Sequence, residues 1–287
     1  MPRVRRRPRP ERQRRRRRSR LPPRQLDVMR RGFTLVETVV VVAVCAVLAA
    51  ILVPALRAAS GAARTVACTS NLRQLATAAH AYASANGAMP AAVLYRRDAG
   101  LLRTIAWDFE QCGGTVRPGP LWAYSSTPLA VQQCPGFDGP STFGSDPYTG
   151  YNYNTSYVGH EGTLPSIGPN GTVIDGWAAA RMGRPLGAIA DHARTALFGD
   201  GGWRGGANKF MRAPSAAVEG DLPLACGGGQ AFRHHGGCSC VAHLDGHVGT
   251  CAVPERGALT TDALAQSVLG FPDNGFLSPD DRAYGVD

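Results

Sequence analysis

The sequence predicts an α+β protein: one long N-terminal helix followed by an antiparallel, β-rich head with long loops. Three observations carry this. Phe33 to Val53 is a run of 21 residues with a single charge, Glu37. Beyond it, Leu56, Ala59, Ala63, Val66, Leu72, Leu75, Ala79 and Tyr82 recur mostly at steps of three and four, the period of one helical face. From residue 88 onward Gly, Pro, Asn and Asp interrupt the chain every few residues and the apolar runs are short, which is strand-and-loop punctuation.

The segment ahead of the helix is a basic tail. Residues 1–32 hold 15 Arg against Glu11 and Asp27, a balance of +13, while residues 33–287 sum to −3. The overall charge of +10 is therefore a property of the tail and not of a binding face. Residues 1–28 hold five Pro and almost nothing to bury, so disorder is expected. No aromatic residues interleave with the arginines as base-stacking platforms, and no nucleic-acid partner is expected. Met29 is a second candidate start beside Met1, opening Met-Arg-Arg-Gly.

The helix itself divides in two. Residues 33–53 would span about 31 Å, enough to cross a bilayer. Arginines before the run and a near-neutral chain after it predict a cytoplasmic N-terminus and an outer bulk. The helix is expected to continue to about Ala85, where Asn86-Gly87 stops it. Its second half would present the apolar stripe to the head.

Arg30-Arg31-Gly32-Phe33-Thr34-Leu35-Val36-Glu37 resembles the processing site of type IV prepilins and type II secretion pseudopilins. The resemblance implies cleavage by a prepilin peptidase between Gly32 and Phe33, N-methylation of Phe33, and an assembly role for Glu37. Gly places no side chain in a peptidase cleft, and a carboxylate inside a bilayer demands a partner. The amine of a neighbouring subunit's Phe33 would serve. Pro54 stands where many pilins carry a helix-kinking proline. Two rivals fit less well. A twin-arginine export signal prefers a shorter apolar run and a small-x-small cleavage site, with candidates near Ala58 to Ala63. An ordinary signal anchor gives no role to Gly32 or Glu37.

In the head, Thr195 to Gly199, Gly237 to Leu244 and His247 to Val253 read as strands. Asp262 to Leu269 carries a weak helical period, and Pro135 to Gly171 is expected to form ordered loops around its tyrosines. Asp245-Gly246 between two alternating segments predicts a two-residue hairpin turn, with Leu244 opposite His247 and His243 opposite Val248. A second resemblance joins both ends. Cys68-Thr69-Ser70-Asn71-Leu72-Arg73-Gln74-Leu75 and His80-Ala81-Tyr82, with His235 followed nine residues later by Asp245-Gly246, are similar to prepilin-type proteins with a C-terminal His-x9-Asp-Gly motif, abundant in Planctomycetes. It implies a pilin-like architecture more firmly than an activity.

Chemistry, where present, would sit in the C-terminal cluster. His234, His235, Cys238, Cys240, His243, Asp245, His247 and Cys251 fall within 18 residues. Their spacing is poor for zinc, having no Cys-x2-Cys. A structural reading is preferred, with His235 hydrogen-bonding the turn or Asp245, and no resident metal or cofactor is expected. Calcium at Asp245 is a third reading. In an oxidising compartment the cysteines would pair: Cys112 with Cys134, and Cys226, Cys238, Cys240 and Cys251 in two further bridges of open connectivity, leaving Cys68 over. There is no Gly-x-Ser-x-Gly, phosphate loop or dinucleotide fingerprint. Asp200-Gly201-Gly202 and Gly227-Gly228-Gly229 read as turns, and lone Lys209 as solvated.

Together these readings give a tail and leader at 1–32, a long helix at 33–86 with a transmembrane part at 33–53, and an extracytoplasmic head at 87–287. The expected function is that of a non-enzymatic pilin or pseudopilin subunit in the inner membrane. Its partners would be the prepilin peptidase and methylase, and other pilin or pseudopilin subunits. The alternatives are a solitary anchored protein using the His/Cys cluster as enzyme or metal binder, and an anchored extracellular ligand-binding module.

Overall fold

The computed structural model describes residues 32–98, 100–125, 133–137, 139, 150–160, 166–167, 173–175, 183–203, 206–215, 229–257 and 273–285. The chain divides between Ile51 and Leu52 into two units, each treated by itself. The expected weak helix at Asp262 to Leu269, most of the loop after Pro135, Cys226 and the tail at 1–31 lie outside the described residues.

Helix α1 runs from Leu35 to Asn86 as one element, with Pro54 inside it. Ala, Leu and unbranched polar residues dominate its second half and favour the helix. It ends where the sequence places the stop. Gly87 takes φ +78° and its N–H donates to the Ala83 carbonyl at 2.8 Å, closing the last turn in the left-handed conformation that suits glycine. Asn86 Nδ2 donates to Tyr82 O at 2.8 Å.

The buried stripe is shorter than the periodicity suggests. Cys68, Leu72, Leu75, Ala76, Ala78, Ala79 and Ala83 are buried, whereas Leu56, Ala59, Ala63 and Val66 are exposed. The reason is positional. Among the described residues the helix meets the head from Thr65 onward and is buried from Cys68 to Ala83, where small residues dominate the stripe and let the sheet approach closely. Among the described residues none covers the same period at Leu56, Ala59 and Val66.

After the helix, β1 (Val93–Asp98), β2 (Leu101–Ala106), β3 (Phe109–Cys112) and β4 (Thr115–Pro118) form an antiparallel four-stranded meander. The sequence reading missed it. Gly100, Gly113 and Gly114 supply its positive-φ turns. A second sheet is built from β5 (Tyr151–Asn154), β8 (Ala196–Gly202), β9 (Phe210–Met211), β10 (Gly229–Ala231), β11 (Ser239–His243), β12 (Val248–Cys251) and β13 (Asn274–Gly275). The short pair β6 (Ser166–Ile167) and β7 (Val173–Asp175) stands apart. Strand β8 is the hub: it pairs antiparallel with β5, β10 and β11. All seven of its residues are buried.

Two expectations are corrected at β8 and at the hairpin. Asp200-Gly201-Gly202 is strand, not turn. Glycine is needed there because a Cβ on Gly201 would lie 2.0 Å from the Asn208 carbonyl oxygen. The hairpin between β11 and β12 exists, but its loop has three residues. Ala242 pairs with Val248, His243 N donates to His247 O at 2.9 Å, and Gly246 N donates to His243 O at 2.9 Å. Gly246 sits at φ +91°, the left-handed position of a turn-plus-bulge loop. His243 thus faces His247, one residue from the expected register.

Helix stripe, meander and second sheet share one core. Trp107, Tyr153 and Phe198 form its aromatic centre, with ring centroids 5.0–5.9 Å apart. Lys209, expected to be solvated, is instead 2% exposed and ion-paired with Asp108, itself 1% exposed. Its ammonium lies 5.3 Å from the Phe109 ring centroid and 5.5 Å from that of Trp107, within cation–π range. Burial lowers the Lys209 pKa well below its ordinary value.

This pair ties the meander to the segment entering β9. Removing one partner strands a buried charge, so Lys209→Met should cost about 3–5 kcal/mol. Replacing both groups, in Lys209→Met/Asp108→Leu, should recover most of that loss. Thermal unfolding of the detergent-solubilised full chain checks both, and a double variant no more stable than the single would refute the ion-pair account.

Candidate functional site

Two groups of side chains carry chemistry, one in each unit.

In the first unit the helix starts with a reciprocal cap. Thr34 N and Thr34 Oγ1 donate to Glu37 Oε2 at 2.8 and 2.9 Å, and Glu37 N donates back to Thr34 Oγ1 at 3.2 Å. This is a capping box, in which residues three apart satisfy each other's free backbone donors. The Thr-x-x-Glu spacing was legible in the sequence, but Glu37 was read only as a charge awaiting a partner. Both side-chain bonds fall on one carboxylate oxygen. Gly32 lies just before the cap, and a Cβ on it would meet nothing within 4 Å. Phe33 is 82% exposed, and Leu35, Val36, Val39, Val40 and the apolar residues after them are likewise exposed. This helix is long and apolar enough to cross a membrane, with a mean hydropathy of 3.1 in its most apolar window.

In the second unit four segments converge on a closed polar cluster. Cys68 comes from the buried face of α1, Cys134 from the Cys-Pro-Gly segment, Asp200 from β8, and His235 from the 3-10 turn Phe232–His235 before β11. Cys134 Sγ lies 3.8 Å from Cys68 Sγ and 3.3 Å from His235 Nε2. Cys68 Sγ donates to Asp200 Oδ1 at 3.3 Å, and His235 Nε2 lies 3.3 Å from Asp200 Oδ2. One ligand atom from each residue can be chosen so that all four fall within 4.8 Å of one another. Cys68, Cys134 and Asp200 are fully buried and the His235 side chain is 1% exposed.

A second ring of groups holds the cluster. Cys240 N donates to Asp200 Oδ2 at 2.7 Å. Tyr151 Oη donates to Cys68 Sγ at 3.5 Å and accepts from Asn71 Nδ2 at 3.2 Å. Thr65 Oγ1 lies 3.4 Å from His235 Nδ1. Glycines set the spacing: a Cβ on Gly136 would lie 2.3 Å from the His234 carbonyl oxygen, and one on Gly150, at φ +100°, 2.8 Å from Cys134 N.

The electrostatics is that of coupled groups. Burial raises the Asp200 carboxyl, but the adjacent His234 and His235 rings outweigh it and bring it well below the carboxylate range. Burial lowers His235, while Asp200, Cys134 and Cys240 carry it the other way, up to about 12. The Cys68 thiol lowers Cys134 to about 5, and Cys68 rises in turn, first through Cys134 and then Cys240. The two thiols thus titrate as a pair whose first proton leaves early and whose second is held.

The sequence-predicted residues are redistributed by this geometry. His235 does not reach the hairpin turn or Asp245; it faces Asp200 and Cys134. Cys134, expected opposite Cys112, meets Cys68, and Cys68 is central instead of left over. Cys112 stands on β3 across from Arg103 and Thr115. Cys240 joins the rim of the cluster, while Cys251 lies across from Ser239 on β12. Cys238 is half-buried, and the seven described cysteines are all thiols. Asp245 is at the hairpin tip, its Oδ1 accepting from His247 N at 3.0 Å and facing His247 Nδ1 at 2.6 Å. The helix reaches this hairpin through His80 Nε2, which donates to the Leu244 carbonyl at 2.7 Å. A separate groove of about 530 Å³, lined by Asp191, Arg194, Val241, His243, Cys251 and Leu277, includes none of the cluster residues.

Two known families match parts of the chain. Residues 28–53 match the prokaryotic N-terminal methylation motif. Residues 57–108 match the family described as protein of unknown function (DUF1559). No curated protein and no solved structure matches the chain.

At the hairpin, burial and then the neighbouring His247 hold His243 down at about 4, and its ring stacks on that of His247 at 4.1 Å. The folded state therefore binds fewer protons than the unfolded one between about pH 4 and 6.5. The stability His243 contributes is fully present above that window and is lost as pH falls through it. His235 has the opposite sign and loses its contribution only above the window. The melting temperature of the wild type should drop between pH 7 and 4.5, and His243→Gln should flatten that slope. Parallel slopes would assign the acid loss elsewhere.

Proposed function

We propose that this chain, a prepilin-type protein by its N-terminal methylation motif, is a pilin or pseudopilin subunit that assembles through its helix into a type IV pilus or type II secretion-like filament. The observation that carries the reading is the methylation motif at residues 28–53 on a helix whose apolar face is exposed along its first five turns. An exposed apolar surface of that extent needs lipid or neighbouring helices to cover it.

The steps follow from the residues. The leader holds the precursor in the inner membrane with its N-terminus cytoplasmic and its head outside. A prepilin peptidase cuts between Gly32 and Phe33, in a stretch where nothing crowds the glycine, and the new Phe33 amine is methylated. Cleavage leaves the Thr34–Glu37 cap within the mature chain. Because the cap uses Oε2 alone, Oε1 can accept the Phe33 ammonium of the adjoining subunit. The cap orients the carboxylate in advance, so the intersubunit bond costs less side-chain ordering. Other pilin-type subunits and the peptidase–methylase are then the partners, and no reaction is catalysed by the head.

Intact mass and N-terminal sequencing of the protein from its native membrane test this. A mature chain beginning at N-methylated Phe33 is expected. A chain that still begins at Met1 or Met29 would overturn it, and one beginning near Ala58 to Thr65 would make it an exported soluble protein. Glu37→Ala should still be cut at Gly32 yet be depleted from the sheared filament fraction.

A further inference from the structure

We propose that Cys68, Cys134, His235 and Asp200 form a closed structural zinc site that clasps the second half of the helix to the head. The inference does not rest on filament assembly.

The geometry points to a tetrahedral ion. With Zn–S of about 2.3 Å and Zn–N or Zn–O of about 2.0 Å, tetrahedral ligand atoms stand about 3.3–3.8 Å apart. Four of the separations fall in this range: 3.8 Å between the two sulfurs, 3.3 Å from Cys134 Sγ to His235 Nε2, 3.3 Å from Cys68 Sγ to Asp200 Oδ1 and, to the other carboxylate oxygen, 3.3 Å from His235 Nε2 to Asp200 Oδ2. With one atom taken from each residue all lie within 4.8 Å, so the site closes on the ion by a small inward shift of the side chains. The donors come from four separate segments, a closure that local hairpin packing does not require. Two thiolates, one imidazole and one carboxylate are a set that zinc accepts and that calcium and magnesium do not.

The histidine is also presented correctly. Thr65 has one hydroxyl proton, and it is donated to the Gly61 carbonyl at 3.2 Å. Its oxygen can therefore only accept from His235 Nδ1–H. That keeps the proton on Nδ1 and leaves Nε2, the atom aimed at Cys134 and Asp200, as the nitrogen that gives up its proton to a metal. Fixing a ligand's ring through its other nitrogen is the usual outer support of a metal-bound histidine.

A second observation points the same way. The His234 side chain is 2% exposed, its Nδ1 lies 3.9 Å from Asp200 Oδ1, and among the described residues neither ring nitrogen has a hydrogen-bond partner. Such a group beside a buried carboxylate marks polar demand that the protein alone leaves unmet. With all four donors supplied by the protein and buried, no position is open to substrate, so the site is structural and not catalytic.

The full chain, extracted in detergent without reductant or chelator, should hold about one zinc per chain by elemental analysis. Peptide mapping after denaturation should find Cys68 and Cys134 as thiols. Exchange with cobalt should give the thiolate charge-transfer band and the intense ligand-field bands of a tetrahedral ion. Thr65→Val, which removes no ligand, should weaken zinc about 10–100-fold in a chelator competition. A Cys68–Cys134 disulfide without metal overturns the proposal, as does a reduced, metal-free chain or an octahedral cobalt spectrum. Should Cys68→Ser fail to fold, the cobalt spectrum of the wild type decides the matter alone.

Discussion

A carboxylate with no exposure to solvent must be compensated where it stands, and Asp200 is that group here. It sits on the hub strand of the larger sheet. Its partners arrive from the helix through Cys68, from the 3-10 turn through His234 and His235, and from the next strand through the Cys240 amide. No two of the segments carrying Cys68, Cys134 and Asp200 are near neighbours in sequence. Fixing them at one point fixes the helix against the sheet. The glycines around the point are a consequence: Gly136, Gly150 and Gly201 stand where backbone approaches too closely for a side chain.

The helix serves two environments along one continuous element. Its first turns expose Val, Leu and Ile, while its last turns bury Cys68, Leu72, Leu75 and a row of alanines. The capping box at Thr34 and Glu37 and the glycine stop at Gly87 close the two ends by local hydrogen bonds alone. A pilin-type subunit needs that division. In the proposed filament the exposed half would meet lipid or sister helices, while the buried half packs on the head.

The head is held by more than apolar contact. The Lys209–Asp108 pair and the Asp200 cluster are both buried polar features flanking the Trp107, Tyr153 and Phe198 core. Buried charges of this kind add little net stability relative to apolar replacements, but they penalise every misregistered packing. In a β-rich head with short strands and many glycines, register is weakly specified by side-chain pattern. A packing that moved Asp108 or Asp200 from its partners would strand a buried charge where alternation is faint.

Local physics was written plainly in the sequence. The apolar run, the helix stop at Asn86-Gly87, the Thr-x-x-Glu cap and the presence of a hairpin at Asp245-Gly246 each depend on residues within a few positions of one another. Strands β8, β11 and β12 were legible for the same reason, and the β1–β4 meander was missed because its charged residues masked the alternation. Tertiary structure alone decided the rest. It cut the helix stripe back to Cys68, set a three-residue loop in place of two, buried Lys209, and turned His235 from the hairpin to Asp200. It also brought Cys68 to Cys134 across 65 intervening residues. Spacing rules find ligand sets and bridges only when the donors lie close in sequence, whereas these donors meet because separate segments pack around one buried carboxylate.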